Sequence, residues 1–425
     1  MTLPFQIVEH TLPGQHIRDY PNSTKESQET VLQIAIKQYI PLDLPMPIPD
    51  NAVTIIGAPG NGTPKELYEP LWEDLYAELK QKQIPVRGIW VADISNQGAS
   101  GVLNEYTQGD QTGWWDHSRD LLHMVNHFRD QFTRPIIGVA HSMGGAQLVN
   151  LSIIHPRLFS TLVLFDPVIM AEGFGGSSSK PTPNPAIFSS RRRDLWPSAE
   201  KAKEALSKGL KRWDPRARER YFTYCLRNVP TAIYDPADPK VGSKAVTLTT
   251  TKHQESWTYT TPNLEPESLD RLLLADWSPK RERPFLFSRP ECWSSFRHLP
   301  HLRPSVQFVF AGKSYLSPPG AQDAKMQVTG TLAGGNGGVD AGAVEKAVLE
   351  DGEHTFVFDR VGWCAGVSSQ WIQKWYNGWL ADEKFWKEYR SRHSDENMLR
   401  LSEEALLVAK INAGTKREDF PKSKL

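Results

Sequence analysis

Short apolar runs rich in β-branched residues alternate with amphipathic stretches along residues 31–165. Residues 31–39 (VLQIAIKQY) alternate as an antiparallel edge strand would, and a proline-studded connector, 41–49, follows. Residues 52–56 read as a buried strand, 86–93 (VRGIWVAD) as another, with a loop over 94–101. Between these strands, Tyr68, Leu71, Trp72, Leu75 and Leu79 recur at helical spacing. The residues before them predict a capping box, with Thr63 as N-cap, Pro64 in the first helical position and Glu66 closing it. A second helix is expected over 115–128, with Leu121, Leu122, Val125 and Phe128 on one side. Ile136, Ile137 and Val139 then form a short strand, residues 146–154 a helix, and 161–165 (TLVLF) the next strand. Strands that alternate with helix-length crossovers predict an α/β fold, a mostly parallel central sheet covered by helices on both faces.

The periodicity breaks over 170–300, where Gly/Ser/Pro-rich stretches, charged helices (199–208 and 215–226) and a Thr-rich run (246–261) predict an inserted lid or cap. Residues 305–310 (SVQFVF) return to the sheet, a Gly-rich connector covers 330–342, and 343–349 form the last strand. A helix carrying Trp375 and Trp379 closes the fold. The charged tail keeps an apolar stripe, Met398, Leu401, Ala405 and Val408, which would pack on the body or on a second copy in a homodimer. The expected division is therefore core 1–169, lid 170–300, core 301–381 and tail 382–425.

Composition narrows the class. The chain has 425 residues, 39% of them hydrophobic, enough for one large enzyme domain with an insertion. Lys+Arg and Asp+Glu both number 49, so no nucleic-acid or anionic-membrane partner is expected and any anion site must be local. The three cysteines, Cys225, Cys292 and Cys364, suggest neither a disulfide framework nor a metal site. Neither a signal peptide nor a membrane-length apolar run is present, whereas Ser423-Lys424-Leu425 at the extreme C-terminus reads as a peroxisomal address for the import receptor.

The candidate chemistry centres on Ala140-His141-Ser142-Met143-Gly144, set between a buried strand and a helix. This is the strand–turn–helix setting of the nucleophile elbow in the α/β-hydrolase fold, with alanine in place of the first glycine of G-x-S-x-G. Ser142 is the expected nucleophile. In that fold the base follows the last strand, which selects His354 over His393 in the tail. The acid ordinarily follows the strand after the lid, yet residues 311–317 (AGKSYLS) contain no carboxylate before Asp323. Asp166, at the tip of the neighbouring strand, can reach the same histidine and is the expected acid. Backbone N–H groups of Met143 and of Asn61, in the glycine-flanked loop after the second strand, are the expected oxyanion hole. His141 is expected to be a core hydrogen-bonding residue. No metal or redox cofactor is called for.

With these residues, and with the runs at 64–72 (PKELYEPLW), 126–131 (NHFRDQ) and 155–159 (HPRLF), the chain resembles the fungal mycophenolic-acid acyl-CoA hydrolase family. The similarity covers most of the chain and is weakest in the lid and tail. It implies a peroxisomal acyl-CoA thioesterase of secondary metabolism, with a triad matching Ser142, Asp166 and His354 and CoA entering only as part of the substrate. Departures are Ala140 for the first elbow glycine, Pro59 for a loop histidine and the diverged lid. Arg191, Arg192 and Arg193 in the lid could hold the CoA phosphates, or form a solvated basic cluster. The other readings are a carboxylic-ester hydrolase or lipase of toxin biosynthesis, an acyl transferase and a catalytically silent binding protein.

Overall fold

The main sheet begins with an antiparallel pair, β1 (Phe5–Pro13) and β2 (Gln33–Pro41), in register from Phe5 opposite Pro41 to Pro13 opposite Gln33. It continues through β3 (Val53–Ala58), β4 (Val86–Ala92), β5 (Ile136–His141) and β6 (Thr161–Phe165). Five short strands of the insertion follow: β7 (Leu195–Trp196), β8 (Leu226–Asn228), β9 (Val246–Leu248), β10 (Thr260–Pro262) and β11 (Leu286–Ser288). β12 (Ser305–Ala311) and β13 (Val344–Leu349) then complete the main sheet, whose order is β1-β2-β4-β3-β5-β6-β12-β13. β2 meets β4 antiparallel, and every pairing from β4 to β13 is parallel. The computed structural model describes residues 3–171, 185–262, 265–273, 286–288, 290–392 and 398–403.

The stretch at 31–39, expected at the sheet edge, lies one strand in, because β1 pairs along its whole length. Every residue of β3, β5 and β6 is buried, as befits strands covered on both faces. The covering helices of the first part are α1 (Glu69–Gln81), α2 (Gly98–Leu103), α3 (Trp114–His127) and α4 (Met143–Ile154). α1 buries Leu71, Trp72, Leu75 and Leu79, the stripe read from spacing. Its expected capping box does not form. A 3-10 turn, Lys65–Tyr68, precedes it, Thr63 Oγ1 donates instead to the Gly60 carbonyl at 2.7 Å, and Glu66 turns inward to Lys65 and Lys37. α2 occupies the expected loop at 94–101, opened by Gly98 at φ 53 with the Asp93 carboxylate accepting from the Ala99 N–H.

In the insertion are α5 (Pro185–Arg191), α6 (Ala199–Ser207), α7 (Pro215–Tyr224), α8 (Lys252–Tyr259), α9 (Asp270–Leu273) and α10 (Glu291–His298). Ser198 and Thr251 cap α6 and α8 through their side chains. β7, β9 and β8 form a small sheet over a separate core of Trp196, Ala202, Val246 and Leu248. α7 is tied to α1 by charge: Arg216 pairs with Glu73 and Asp74, and Arg220 with the buried Glu69. After β12 come α11 (Pro319–Val328), α12 (Phe356–Asp359) and α13 (Val361–Ser391).

Two compact units divide at Gln373/Lys374, inside α13. In the second unit, Phe385, Trp386 and Tyr389 are half-exposed and pack on one another. His393, Ala405, Val408 and the Ser423-Lys424-Leu425 signal lie outside the described residues. No helix among the described residues is long and apolar enough to cross a membrane.

Candidate active site

β5 delivers the chain to Ser142, whose backbone reverses at φ 56, ψ −121 before α4 begins. The surrounding residue types follow from that turn. A Cβ on Gly144 would lie 2.2 Å from the Ala58 carbonyl oxygen, and one on Gly145 would lie 2.5 Å from Pro167 Cβ. At Ala140 the side chain fits inside the core, 1% exposed, so the first glycine of the elbow pattern is dispensable here. The Ser142 N–H donates to the Phe165 carbonyl at 2.9 Å, and its carbonyl accepts from Val168 at 3.0 Å, binding the elbow to the tip of β6.

Asp166 sits at that tip in a left-handed backbone conformation, φ 38, with its N–H donating to the Val309 carbonyl of β12 at 2.8 Å. Its side chain is fully buried. Burial alone would raise its pKa, but the bond from His354 and then the hydroxyls of Ser314 and Ser317 outweigh it and hold the carboxyl below its ordinary value. His354 comes from the turn after β13, which is fixed to the loop after β12 by Lys313 N–H donating to the Gly352 carbonyl at 2.9 Å.

The three side chains connect continuously. His354 Nδ1 lies 2.6 Å from Asp166 Oδ2, and His354 Nε2 lies 2.9 Å from Ser142 Oγ. A carboxylate can only accept, so Nδ1 carries the hydrogen and Nε2 is left to accept from the serine hydroxyl. A hydroxyl, an imidazole and a buried carboxylate joined in this way can activate the hydroxyl as a nucleophile. Ser142 is 2% exposed while the His354 side chain is 24% exposed, so water can reach the imidazole. Asp323, the carboxylate in the usual acid segment, faces solvent on α11 and pairs with Lys346 at 2.8 Å.

The loop after β3 packs directly on the serine: a Cβ on Gly60 would lie 3.1 Å from Ser142 Cβ. The Asn61 side chain is fully engaged, Nδ2 donating to the Glu255 carbonyl at 2.9 Å and Oδ1 accepting from Gln97 Nε2 at 2.5 Å. Gln97 Oε1 also accepts from the Gly62 N–H at 2.7 Å. The Asn61 and Met143 N–H groups make no hydrogen bond among the described residues.

His141 does not join the relay. It is buried, with Nδ1 2.9 Å from the Tyr68 hydroxyl and Nε2 3.0 Å from the His354 carbonyl, a core hydrogen-bonding residue as its position suggested. The sequence shows Tyr68 only as a helix-stripe residue and does not single out Gln97, Ser314 or Ser317, because nothing local distinguishes them from ordinary polar positions. The arginine triplet separates: Arg192 pairs with Glu255 at 2.6 Å, Arg193 donates to the Leu195 carbonyl and lies over the Trp196 ring, and Arg191 is exposed.

A buried serine at a strand–helix turn, a histidine after the last strand and a carboxylate at a neighbouring strand tip are the arrangement of an α/β-hydrolase site. Residues 55–366 match the alpha/beta hydrolase family, and the chain belongs to that family and is a hydrolase. It is 38% identical over 415 residues to the type I acyl-CoA thioesterase mpaH of Penicillium brevicompactum, across 93% of this chain and 94% of that protein. It is 27% identical over 241 residues to the abhydrolase domain-containing protein AFT2-1 of Alternaria alternata, across 57% of this chain and 84% of the other. In fold it resembles the peroxisomal alpha-beta-hydrolase Lpx1 of Saccharomyces cerevisiae, with a TM-score of 0.62 at 14% identity, over 92% of this chain and 99% of that one.

Proposed function

We propose that the protein hydrolyses an acyl-CoA thioester through an acyl-enzyme on Ser142. The observation that carries this reading is the unbroken Ser142–His354–Asp166 relay, at 2.9 and 2.6 Å, in a chain 38% identical across 93% of its length to an acyl-CoA thioesterase. Ser142 Oγ bonds to the thioester carbonyl carbon as its proton passes to His354 Nε2, and the Asn61 and Met143 N–H groups receive the developing oxyanion. The C–S bond then breaks, and the sulfur leaves as CoA thiol with the proton from His354. Water, deprotonated by the same nitrogen, splits the acyl-enzyme to the free acid and restores Ser142. Asp166 keeps the imidazole in the required tautomer and stabilises its cation. Of the arginine triplet, Arg191 and the terminal nitrogens of Arg193 would supply the CoA-phosphate cations, since Arg192 is ion-paired with Glu255. No metal or redox cofactor takes part. The import receptor would read Ser423-Lys424-Leu425 and deliver the enzyme to the peroxisome matrix.

The test is a panel of acyl-CoAs assayed for free thiol beside oxygen esters of the same acyl groups. Thiol release that disappears in Ser142→Ala is the expected result. Hydrolysis of the oxygen esters with no thiol release from any acyl-CoA would overturn the thioester reading in favour of a carboxylic-ester hydrolase.

A further inference from the structure

We infer that Tyr68 and His141 form a strut holding the His354 turn in register with the Gly60–Asn61 loop, which makes both of them positioning residues for the reaction. This rests on the Ser142–His354–Asp166 reading above. The strut runs through three hydrogen bonds, with Thr63 Oγ1 also 3.0 Å from the Tyr68 hydroxyl. The His354 backbone carbonyl can only accept, so His141 Nε2, 3.0 Å away, carries the hydrogen. His141 stays neutral, burial and then the neighbouring His354 lowering its pKa to about 3, which leaves a lone pair on Nδ1. The Tyr68 hydroxyl, kept protonated by burial, donates to that lone pair at 2.9 Å. Its oxygen then accepts the Gly60 N–H at 2.8 Å, and the Thr63 hydroxyl takes the Gly60 carbonyl at 2.7 Å.

Both polar groups of Gly60 are thereby fixed, and the next N–H along the chain is that of Asn61. The opposite end of the strut grips the backbone of His354 and leaves its ring to Ser142 and Asp166. Neither Tyr68 nor His141 hydrogen-bonds Ser142 Oγ. Their effect on rate would pass through the two loops, whose relative position must hold to within about 0.5 Å of the productive geometry while the oxyanion forms. The packing is tight at this point, because a Cβ on Gly60 would meet His141 Nδ1 and Ser142 Cβ both at 3.1 Å.

The full-length enzyme is reacted with a fluorophosphonate, which measures serine activation independently of the natural substrate. Tyr68→Phe removes one oxygen and is expected to lower the maximal labelling rate about tenfold, with the half-saturating concentration changed by less than about twofold. In a His141→Leu background, where the His354 carbonyl is already released, the same Tyr68→Phe change is expected to have less than about a twofold further effect. If circular dichroism shows His141→Leu unfolded, His141→Gln replaces it, since it keeps an N–H near the Nε2 position but offers Tyr68 no Nδ1 acceptor. Tyr68→Phe labelling within about twofold of wild type, or an equal loss in both backgrounds, overturns the strut alone. A wild type that is not labelled overturns the Ser142 reading and the strut with it.

Discussion

Asp166 is fully buried and held ionised chiefly by the bond from His354, and Asp323 pairs with a lysine in water; their substitutions should therefore diverge. Asp166→Asn is expected to lower kcat by orders of magnitude, as loss of the orienting carboxylate does in a serine protease at about 10⁴-fold. Asp323→Asn should leave kcat within about twofold, since an exposed ion pair contributes little. Assaying both on one substrate, with circular dichroism as a control for folding, checks the pair of expectations. Gly144→Ala should not yield folded, active enzyme, because its methyl group would meet the backbone of β3 rather than a side chain that could turn away. A third residue sets a pH dependence. His117 is buried without a hydrogen-bond partner among the described residues, and burial lowers its pKa to about 4. The unfolded chain takes up that proton near pH 6.5, so below that pH it binds more protons than the folded chain, and stability falls as the pH drops towards about 4. Urea unfolding at two pH values should show His117→Phe losing roughly 1–2 kcal/mol less than wild type between about pH 7.5 and pH 5. At this scale, chain order made legible which three side chains the fold brings together: a serine between strand and helix, one histidine after the last strand, one carboxylate at an adjacent tip. Tyr68 was readable only as an apolar-stripe residue, because its partners are 8 and 73 positions away along the chain.

The elements divide along the same line. β3 to β6 and α4 are legible because strands and a helix buried on every side need continuous apolar runs. β1 was missed, since FQIVEHTLP buries only Phe5 and Leu12 and carries too little apolar signal. The capping box failed for a tertiary reason: Thr63 and Glu66 have stronger partners in the Gly60 carbonyl and in two lysines. α8 illustrates an arrangement that no local pattern could reveal. It presents its Glu255 carbonyl to Asn61 and Thr258 to Gln97, so an element of the insertion grips the loop beside the serine. Gln97→Leu removes the bonds to Asn61, Gly62 and Thr258 together. It is expected to lower kcat about tenfold or more with the fold retained, as read by steady-state kinetics beside a thermal melt.

For the whole molecule, the localisation expectation concerns a segment separate from the chemistry. Deleting Ser423 to Leu425 should leave the kinetics of the purified enzyme unchanged while a fluorescent fusion moves from puncta to the cytosol; persistent puncta would count against the address. The return of the chain to the main sheet at β12 and β13 was legible from the apolar runs at 305–310 and 343–349, whereas the small sheet of β7, β8 and β9, built from strands of two or three residues, was not. The position of Asp166 has a wider consequence. On the function proposed above, Ser142 and Asp166 act from the tips of two adjacent hydrogen-bonded strands, β5 and β6, and the loop from Gly312 to Pro318 carries no carboxylate. The half-exposed Tyr315 and its neighbours there are relieved of the duty that this loop ordinarily carries. On that reading, substitutions in this loop would change the choice of acyl group while leaving the Ser142–His354–Asp166 relay in place, so that changes of substrate and preservation of the reaction draw on different parts of the chain.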